Sequence, residues 1–213
     1  MHRLFLVRHG ETDWNRLRKL QGHTDIELNS RGILQAQGLR ELLKHHRPTR
    51  LLSSDLKRAQ RTAQEAFPGG ALSLSPLLRE IHLGGAEGKS REQVQLDFGD
   101  QVWNDWSDGQ FPKYATRFPQ GESRREGLER LFQLLKTFGA SKSPEVIFGF
   151  THGLLLRSFA QWTENLEDAK FTTPNCCVYE WDLHHLDLDF DSDPKLRPRL
   201  RQILLLPDES LSL

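Results

Sequence analysis

Short, almost continuous apolar runs alternate with longer amphipathic stretches along this sequence, and this alternation limits the folds open to it. Residues 3–7 and 145–151 are predicted as strands buried on both faces, because nearly every residue in them is apolar. Further strands are predicted at residues 50–53 and 71–75, and a C-terminal hairpin at residues 176–184 and 199–206. Strands separated by helices predict a three-layer α/β/α fold with a mostly parallel central sheet.

Helices are predicted between these strands wherever apolar residues recur at three- and four-residue spacing. In the first helix, Leu34, Leu39, Leu42 and Leu43 are expected to form the buried face, and Ser30 is expected to cap the N-terminus. The predicted helices span residues 31–46, 55–66, 123–138 and 154–162.

Residues 81–120 follow a different pattern, with two tryptophans, several glycines and weak periodicity. This composition predicts a helical excursion that covers one end of the sheet. Because no internal repeat, low-complexity tract or linker divides the chain, residues 1–213 are predicted to form a single domain.

Charge and composition restrict the partners and the location. The 29 basic residues cancel the 29 acidic ones, so no global field attracts nucleic acid or an anionic membrane. The apolar runs are shorter than the roughly 18–20 residues of a membrane span, and the first residues lack the pattern of a signal peptide. The adjacent cysteines, Cys176 and Cys177, are not a disulfide framework and suit a reducing cytosol, so a cytoplasmic protein is predicted. The basic residues 195–201 are expected to protect an edge strand rather than bind nucleic acid, and the oligomeric state stays open.

Two chemically reactive segments directly follow the two most apolar strands. These are Arg8-His9-Gly10 and Thr151-His152-Gly153. Ligands of parallel sheets bind beyond the carboxyl ends of the strands, so both segments are expected at one edge. A lone histidine there would usually be an ordinary paired polar residue. Arg58 and Glu80 also lie near predicted strand ends, and together they favour a shared reactive site.

Several separated motifs carry a family resemblance. These motifs are residues 6–15, Gln21-Gly22, Thr24-Asp25-Ile26-Glu27-Leu28, Arg31-Gly32, Gln35-Ala36, Ser53-Ser54-Asp55-Leu56-Lys57-Arg58-Ala59, Leu78-Arg79-Glu80-Ile81, Gly121-Glu122-Ser123 and Thr151-His152-Gly153. In this order across most of the chain they resemble the histidine phosphatase superfamily, and more narrowly its phosphoglycerate-mutase-like branch.

The resemblance implies a phosphoryl transfer that uses neither a metal ion nor a cofactor. It makes His9 the nucleophile, which forms a phosphohistidine through one ring nitrogen while a backbone carbonyl holds the other. Arg8, Arg58 and His152, the last as an imidazolium, would surround the phosphoryl oxygens. Gly153 would lie beside them, where the following helix offers its N-terminus to an anion.

Glu80 is implied as the general acid and base, with an ion pair to Arg79 as the alternative. Asn15 is expected either to donate a hydrogen bond to the phosphate or to cap the loop. Gln21 and Gly22 are implied as further substrate-binding residues. The carboxylates of Glu11 and Glu87 are expected in loops or at the surface.

The predicted reaction is hydrolysis of a small-molecule phosphate monoester. Mutases of the branch carry a longer insert after the acid, and this chain is short there, which favours a phosphatase-type member. A phosphoglycerate-type mutase and a non-catalytic phospholigand-binding domain are the alternatives. Ala86 and Glu27 depart from the residues common at their positions, which leaves specificity open.

Sugar phosphates, nucleotides and α-ribazole phosphate all remain candidate substrates. Arg16, Arg18 and Lys19 are expected in a solvated loop, with contact to a second anionic group as the alternative. Trp103 and Trp106 are expected either to line a hydrophobic lid or to pack in the core of the excursion.

Overall fold

A computed structural model describes residues 1–108, 110–140, 143–164 and 171–207. The strands are β1 (His2–Arg8), β2 (Arg50–Ser53), β3 (Leu72–Leu74), β4 (Val146–Thr151), β5 (Val178–Leu183) and β6 (Arg199–Leu204). They form one six-stranded sheet in the order β3-β2-β4-β1-β5-β6. Strands β1 to β4 run parallel to one another, whereas β5 is antiparallel to both β1 and β6. The predicted α/β fold with a mostly parallel sheet is confirmed.

Helices cover both faces of the sheet because the side chains of β1 alternate between two cores. Phe5 and Val7 belong to a core that includes residues of α2 and α3, and Leu4 and Leu6 belong to a larger core with α6 and α7. All four side chains are buried, as expected for a central parallel strand. The helices are α1 (Asp13–Arg16), α2 (Ser30–Leu43), α3 (Lys57–Ala66), α4 (Arg91–Phe98), α5 (Asp100–Ser107), α6 (Arg124–Lys136) and α7 (Gly153–Glu164).

The segment 81–120 contains α4, α5 and two short 3-10 helices, Gly84–Ala86 and Phe111–Ala115. Its buried side chains, among them Val94, Trp106 and Phe118, join the larger core on the α6 and α7 side of the sheet. That the whole chain forms one domain stays a prediction.

The first predicted helix differs from the observed α2 in its cap and in its buried face. Asn29, not Ser30, is the cap, and its side chain accepts a hydrogen bond from the Gly32 amide at 2.8 Å. Leu34 was expected to be buried but is 61% exposed. The buried face instead includes Gly32, where an added Cβ would lie 2.1 Å from the carbonyl oxygen of Glu11. This close backbone approach fixes the helix rotation and turns Leu34 outward.

The C-terminal hairpin is present as predicted, with β5 and β6 paired antiparallel. β6 forms one edge of the sheet, and its Arg201 forms ion pairs with Asp182 at 2.8 Å and Glu180 at 3.4 Å. Within the described residues, no helix combines the length and apolar character needed to cross a membrane.

Candidate active site

Sheet register brings His9 and His152 together. β1 and β4 are parallel neighbours, and Arg8 lies opposite Thr151, so the residue that follows each strand emerges at the same edge. The amide of His9 donates to the carbonyl of Thr151 at 3.0 Å, and the two imidazole centroids are 5.2 Å apart. The predicted meeting of the two segments beyond the carboxyl ends of the strands follows from this pairing.

His9 has one ring nitrogen held and one available. Its Nδ1 donates to the carbonyl of Gly10 at 2.7 Å, which leaves the lone pair of Nε2 free. The side chain is only 3% exposed, yet it lines a cavity. Burial and then the charges of Arg58 and Arg8 lower the pKa of His9 well below its ordinary value of 6.5. A neutral imidazole with a free Nε2 lone pair is the form in which histidine acts as a nucleophile.

Arg58 is fully buried near the start of α3, and its guanidinium is held from three sides. Its Nε donates to Nδ1 of His152 at 3.2 Å, and its terminal nitrogens donate to the carbonyls of Thr24 and Gly22 at 2.8 and 2.7 Å. Burial lowers the pKa of Arg58 to about 10, so the side chain keeps its positive charge at neutral pH. Arg58 therefore does not lie on a solvated face of α3.

His152 lies beside Arg58 and is not among the residues that line the cavity. Because Nδ1 accepts from Arg58, Nε2 carries the proton and donates to the hydroxyl of Ser54 at 2.9 Å. Burial, the charge of Arg58 and the nearby His9 lower the pKa of His152 well below 6.5. The expectation of an imidazolium at this position is wrong, since the neutral ring positions Arg58 and adds no charge.

Arg8 projects from the end of β1 into the cavity, where its guanidinium donates to the carbonyl of Thr173. Gly153 begins α7 beside it, and a Cβ at that position would lie 2.9 Å from Nε of Arg8. Glycine is therefore required at position 153 for the guanidinium to occupy its place.

Glu80 receives three backbone hydrogen bonds. One carboxylate oxygen accepts from Leu154 at 2.9 Å, and the other accepts from Leu155 at 2.9 Å and from Ile81 at 3.0 Å. The carboxylate thereby binds the first turn of α7, and Glu80 also lines the cavity. Arg79 is paired with Asp55 instead, at 2.6 Å, so the alternative of an ion pair between Glu80 and Arg79 is wrong.

Three residues between β1 and α2 also line the cavity: Asn15, Gln21 and Gly22. Asn15 completes a capping box with Thr12 through its Oδ1, and it lines the cavity as well, so both roles considered for it remain compatible. Gln21 lines the cavity, and its buried Oε1 has no hydrogen-bond partner within the described residues. Gly22 has φ of +52° and supplies a carbonyl to Arg58.

The carboxylate of Glu87 has a structural role that the sequence did not indicate. Its carboxylate accepts from the amides of His23, Thr24 and Leu83 at 2.8, 2.7 and 3.1 Å. These contacts fix the loop whose carbonyls hold Arg58. Of the two places expected for Glu87, the loop is correct and the surface is wrong, since the side chain is only 12% exposed.

The cavity has a volume of about 220 Å³. That is smaller than the roughly 300–1,000 Å³ of pockets for drug-sized ligands, so it suits a small substrate. Among its described lining residues, four are cationic and one, Glu80, is acidic, which favours anions. The cationic residues are Arg8, Lys19, Arg58 and Arg157.

Several lining residues extend the predicted set. Arg157 was not predicted, although a single arginine within the apolar start of α7 was a signal for it. Lys19 lines the cavity, whereas Arg16 and Arg18 are exposed. Trp106 both packs in the core and lines the cavity, which joins the two alternatives considered for it. The remaining lining residues are Leu20, Leu83, Leu154 and Thr173.

Stability should depend on pH because of the two buried histidines. The lowered pKa values of His9 and His152 mean that, below about 6.5, the unfolded chain binds protons that the folded chain does not. The free energy of unfolding should therefore fall by about 2 kcal/mol between pH 7.5 and 5.5. Urea titrations followed by circular dichroism at the two pH values measure the change. The His9→Ala variant should show a smaller fall, and equal stability of the unmodified protein at both pH values would contradict the burial argument.

Comparison with known proteins agrees with this geometry. A family model described as histidine phosphatase superfamily (branch 1) matches residues 4–191. The chain belongs to this superfamily. A relative named as a probable phosphoglycerate mutase, from Serratia proteamaculans, is 33% identical over 162 residues, which are 73% of this chain and 74% of the relative. The phosphoglycerate-mutase-like resemblance is thus confirmed.

Solved structures of the superfamily share the fold. A mycobacterial glucosyl-3-phosphoglycerate phosphatase, solved with VO3, has a TM-score of 0.76 and 28% identity, over 94% of this chain and 98% of that one. A phosphoserine phosphatase of Entamoeba histolytica, in complex with 3-phosphoglyceric acid, has a TM-score of 0.77 and 27% identity, over 95% of this chain and 96% of that one. The matches therefore include proteins named as mutases and proteins named as phosphatases.

Proposed function

We propose that the protein hydrolyses a small-molecule phosphate monoester through a phosphohistidine on His9. The observation that carries this proposal is the state of His9: a neutral, cavity-lining imidazole with Nδ1 held by Gly10 and Nε2 free, beside the guanidinium groups of Arg8 and Arg58. A nucleophile next to fixed positive charge is what phosphoryl transfer needs, since the reaction depends on positioning and charge stabilisation.

The first step transfers the phosphoryl group to the enzyme. The lone pair of His9 Nε2 forms a bond to phosphorus while the bond from phosphorus to the ester oxygen breaks. Arg8 and Arg58 stabilise the charge on the phosphoryl oxygens. Glu80, in its protonated form, gives a proton to the departing oxygen, so that an alcohol leaves rather than an alkoxide.

The second step releases phosphate. Glu80, now a carboxylate, takes a proton from a water molecule as the water oxygen attacks phosphorus. The bond from phosphorus to Nε2 breaks, and its electron pair returns to the neutral ring of His9. Glu80 is protonated again, and inorganic phosphate leaves.

Phosphoglycerate-type mutase activity is the second candidate, because a relative that shares 33% identity carries that name. The mycobacterial and Entamoeba structures, which cover more than nine-tenths of this chain, support the phosphatase. Both reactions share the phosphohistidine, and they differ in whether water or a second substrate oxygen receives the phosphoryl group.

Trapping of the intermediate tests the proposal. The protein is incubated with an aryl phosphate, quenched, and assayed for phosphate that is labile in acid and stable in base, which is the signature of phosphohistidine. We expect such a label together with release of phosphate to water. Isomerisation of a phosphoglycerate that depends on a bisphosphoglycerate primer, with little release of phosphate to water, would identify a mutase. A bound phosphate ester with no label would show a non-catalytic binding domain.

A further inference from the structure

The imidazole of His23 contacts the backbone of Glu80 and takes no step in the proposed reaction. Its Nε2 donates to the carbonyl of Glu80 at 2.8 Å, across 57 positions of the chain. A carbonyl oxygen only accepts hydrogen bonds, so Nε2 carries the proton of the ring. Burial lowers the pKa of His23 from 6.5, which keeps the ring neutral at neutral pH. His23 is absent from the described lining of the cavity, so it can act on a substrate only through its neighbours.

The two residues that flank His23 hold the guanidinium of Arg58. The terminal nitrogens of Arg58 donate to the carbonyls of Gly22 and Thr24 at 2.7 and 2.8 Å. Three successive residues thus make two kinds of connection, from the backbone to Arg58 and from one side chain to Glu80. Neighbouring Cα atoms are about 3.8 Å apart across a trans peptide, so these connections cannot shift far relative to one another. The tripeptide therefore links the guanidinium at the cavity to the proposed acid and base.

The carbonyl of Glu80 is held from two directions. Arg130 donates to it at 3.2 Å from α6, and His23 donates to it from the loop before α2. The carboxylate of Glu80 is held separately, by three backbone amides. Arg130 thus connects residue 80 to α6, whereas His23 connects it to the segment that holds Arg58.

This segment also has an anchor that does not depend on the imidazole. The carboxylate of Glu87 accepts from the backbone amides of His23 and Thr24 at 2.8 and 2.7 Å. Any residue at position 23 other than proline can make the first of these contacts. Removal of the imidazole should therefore leave the carbonyls that hold Arg58 in place and release only the carbonyl of Glu80.

We propose that His23 is a positioning residue, whose hydrogen bond to the carbonyl of Glu80 sets the place of the Glu80 carboxyl group relative to the phosphoryl group bound at Arg58. This inference rests on the proposed function, because it takes Glu80 as the group that transfers protons. Proton transfer needs a heavy-atom distance of roughly 2.6–3.2 Å, so a small displacement of the carboxyl group lowers the rate without weakening the binding of phosphate.

Two substitutions that differ by one methylene group test the hydrogen bond. The amide of His23→Gln can place an N–H near the position of Nε2, whereas the amide of His23→Asn is too short to reach the carbonyl. In rapid-quench measurements, His23→Asn should slow formation of phosphohistidine by about tenfold for alkyl phosphates and less than about threefold for aryl phosphates. Inhibition by inorganic phosphate should change by less than about twofold, because Arg58 stays in place. His23→Gln should recover most of the lost rate.

A double-mutant cycle separates positioning from a general structural effect. Because His23 is proposed to act through the carboxyl group, His23→Asn should add less than about twofold to the loss caused by Glu80→Gln on alkyl phosphates. His184→Asn, at an exposed position after β5, is the matched control and should leave every rate unchanged. Thermal melting checks that the variants fold. Independent losses in the double variant, equal losses on alkyl and aryl esters, or equal losses in the asparagine and glutamine variants would overturn the proposal.

Hydrogen exchange tests the contact without turnover. The amides of Leu154 and Leu155 donate to the carboxylate of Glu80, so they should exchange about threefold or more faster in His23→Asn than in the unmodified protein. Unchanged exchange would overturn the positioning role, whatever the protein hydrolyses. Absence of phosphohistidine and of hydrolysis in the unmodified protein would count against the proposed function alone, and exchange would still decide whether His23 holds Glu80.

Discussion

Replacement of His9 by alanine should lower turnover of any phosphate monoester by about 10⁴-fold or more, to the background of the assay. The reason is that the substitution removes the proposed nucleophile, and removal of a nucleophile commonly has effects of this size. Steady-state release of phosphate measures the loss, and the acid-labile label should disappear with it. Arg8 and Arg58 remain in place in this variant, so it should still bind a phosphate ester.

The fold should survive the His9→Ala change. The ring is neutral, so its removal leaves no unpaired buried charge, and it frees only the carbonyl of Gly10. His45→Ala, at an exposed position after α2, is the matched control and should retain full activity. Residual activity of His9→Ala near that of His45→Ala would remove His9 as the nucleophile.

Glu80→Gln should slow the first chemical step by about 10²–10⁴-fold for alkyl phosphates, the range associated with general acid catalysis. Aryl phosphates should lose less than about tenfold, because a phenolate needs little protonation to leave. Since Glu80 is also proposed to act in the hydrolysis of the intermediate, the two steps must be separated. Rapid-quench measurement of the amount of phosphohistidine formed over time isolates the first step.

The glutamine is a suitable probe because it nearly preserves the contacts of Glu80. Its carbonyl oxygen can still accept from Leu155 and Ile81, and only the bond from Leu154 is lost, at a cost of about 1 kcal/mol. Glu41→Gln, on the exposed surface of α2, provides the control for a change of charge. Equal losses for alkyl and aryl esters would count against the acid role.

The sheet and its reactive edge could be predicted from the sequence because buried parallel strands are almost continuously apolar. β1, β2 and β4 lie within one residue of the predicted bounds. Parallel pairing then places the ends of β1 and β4 together, and therefore His9 beside His152. No long-range information beyond strand order was needed for that part of the site.

Features that depend on contacts between distant segments could not be predicted in the same way. The exposure of Leu34 follows from the approach of Gly32 to the backbone of Glu11. The anchoring by Glu87 depends on a loop more than sixty residues earlier in the chain, since its bond to the His23 amide spans 64 positions. The apolar start of α7 makes Arg157 noticeable in the sequence, but only the assembled cavity shows that it lines the site.

The hydrogen bond from Arg58 to His152 joins residues 94 positions apart, and the register that places His152 pairs β1 with β4, whose partner residues are 143 positions apart. A short fragment of the chain therefore cannot hold Arg58 and His152 in place. During synthesis, His9 is made long before His152 and the strand that positions it. The ribosome must release β4 before a complete phosphate-binding site can form. The appearance of activity would thus mark the late closure of the sheet and not the formation of its individual helices.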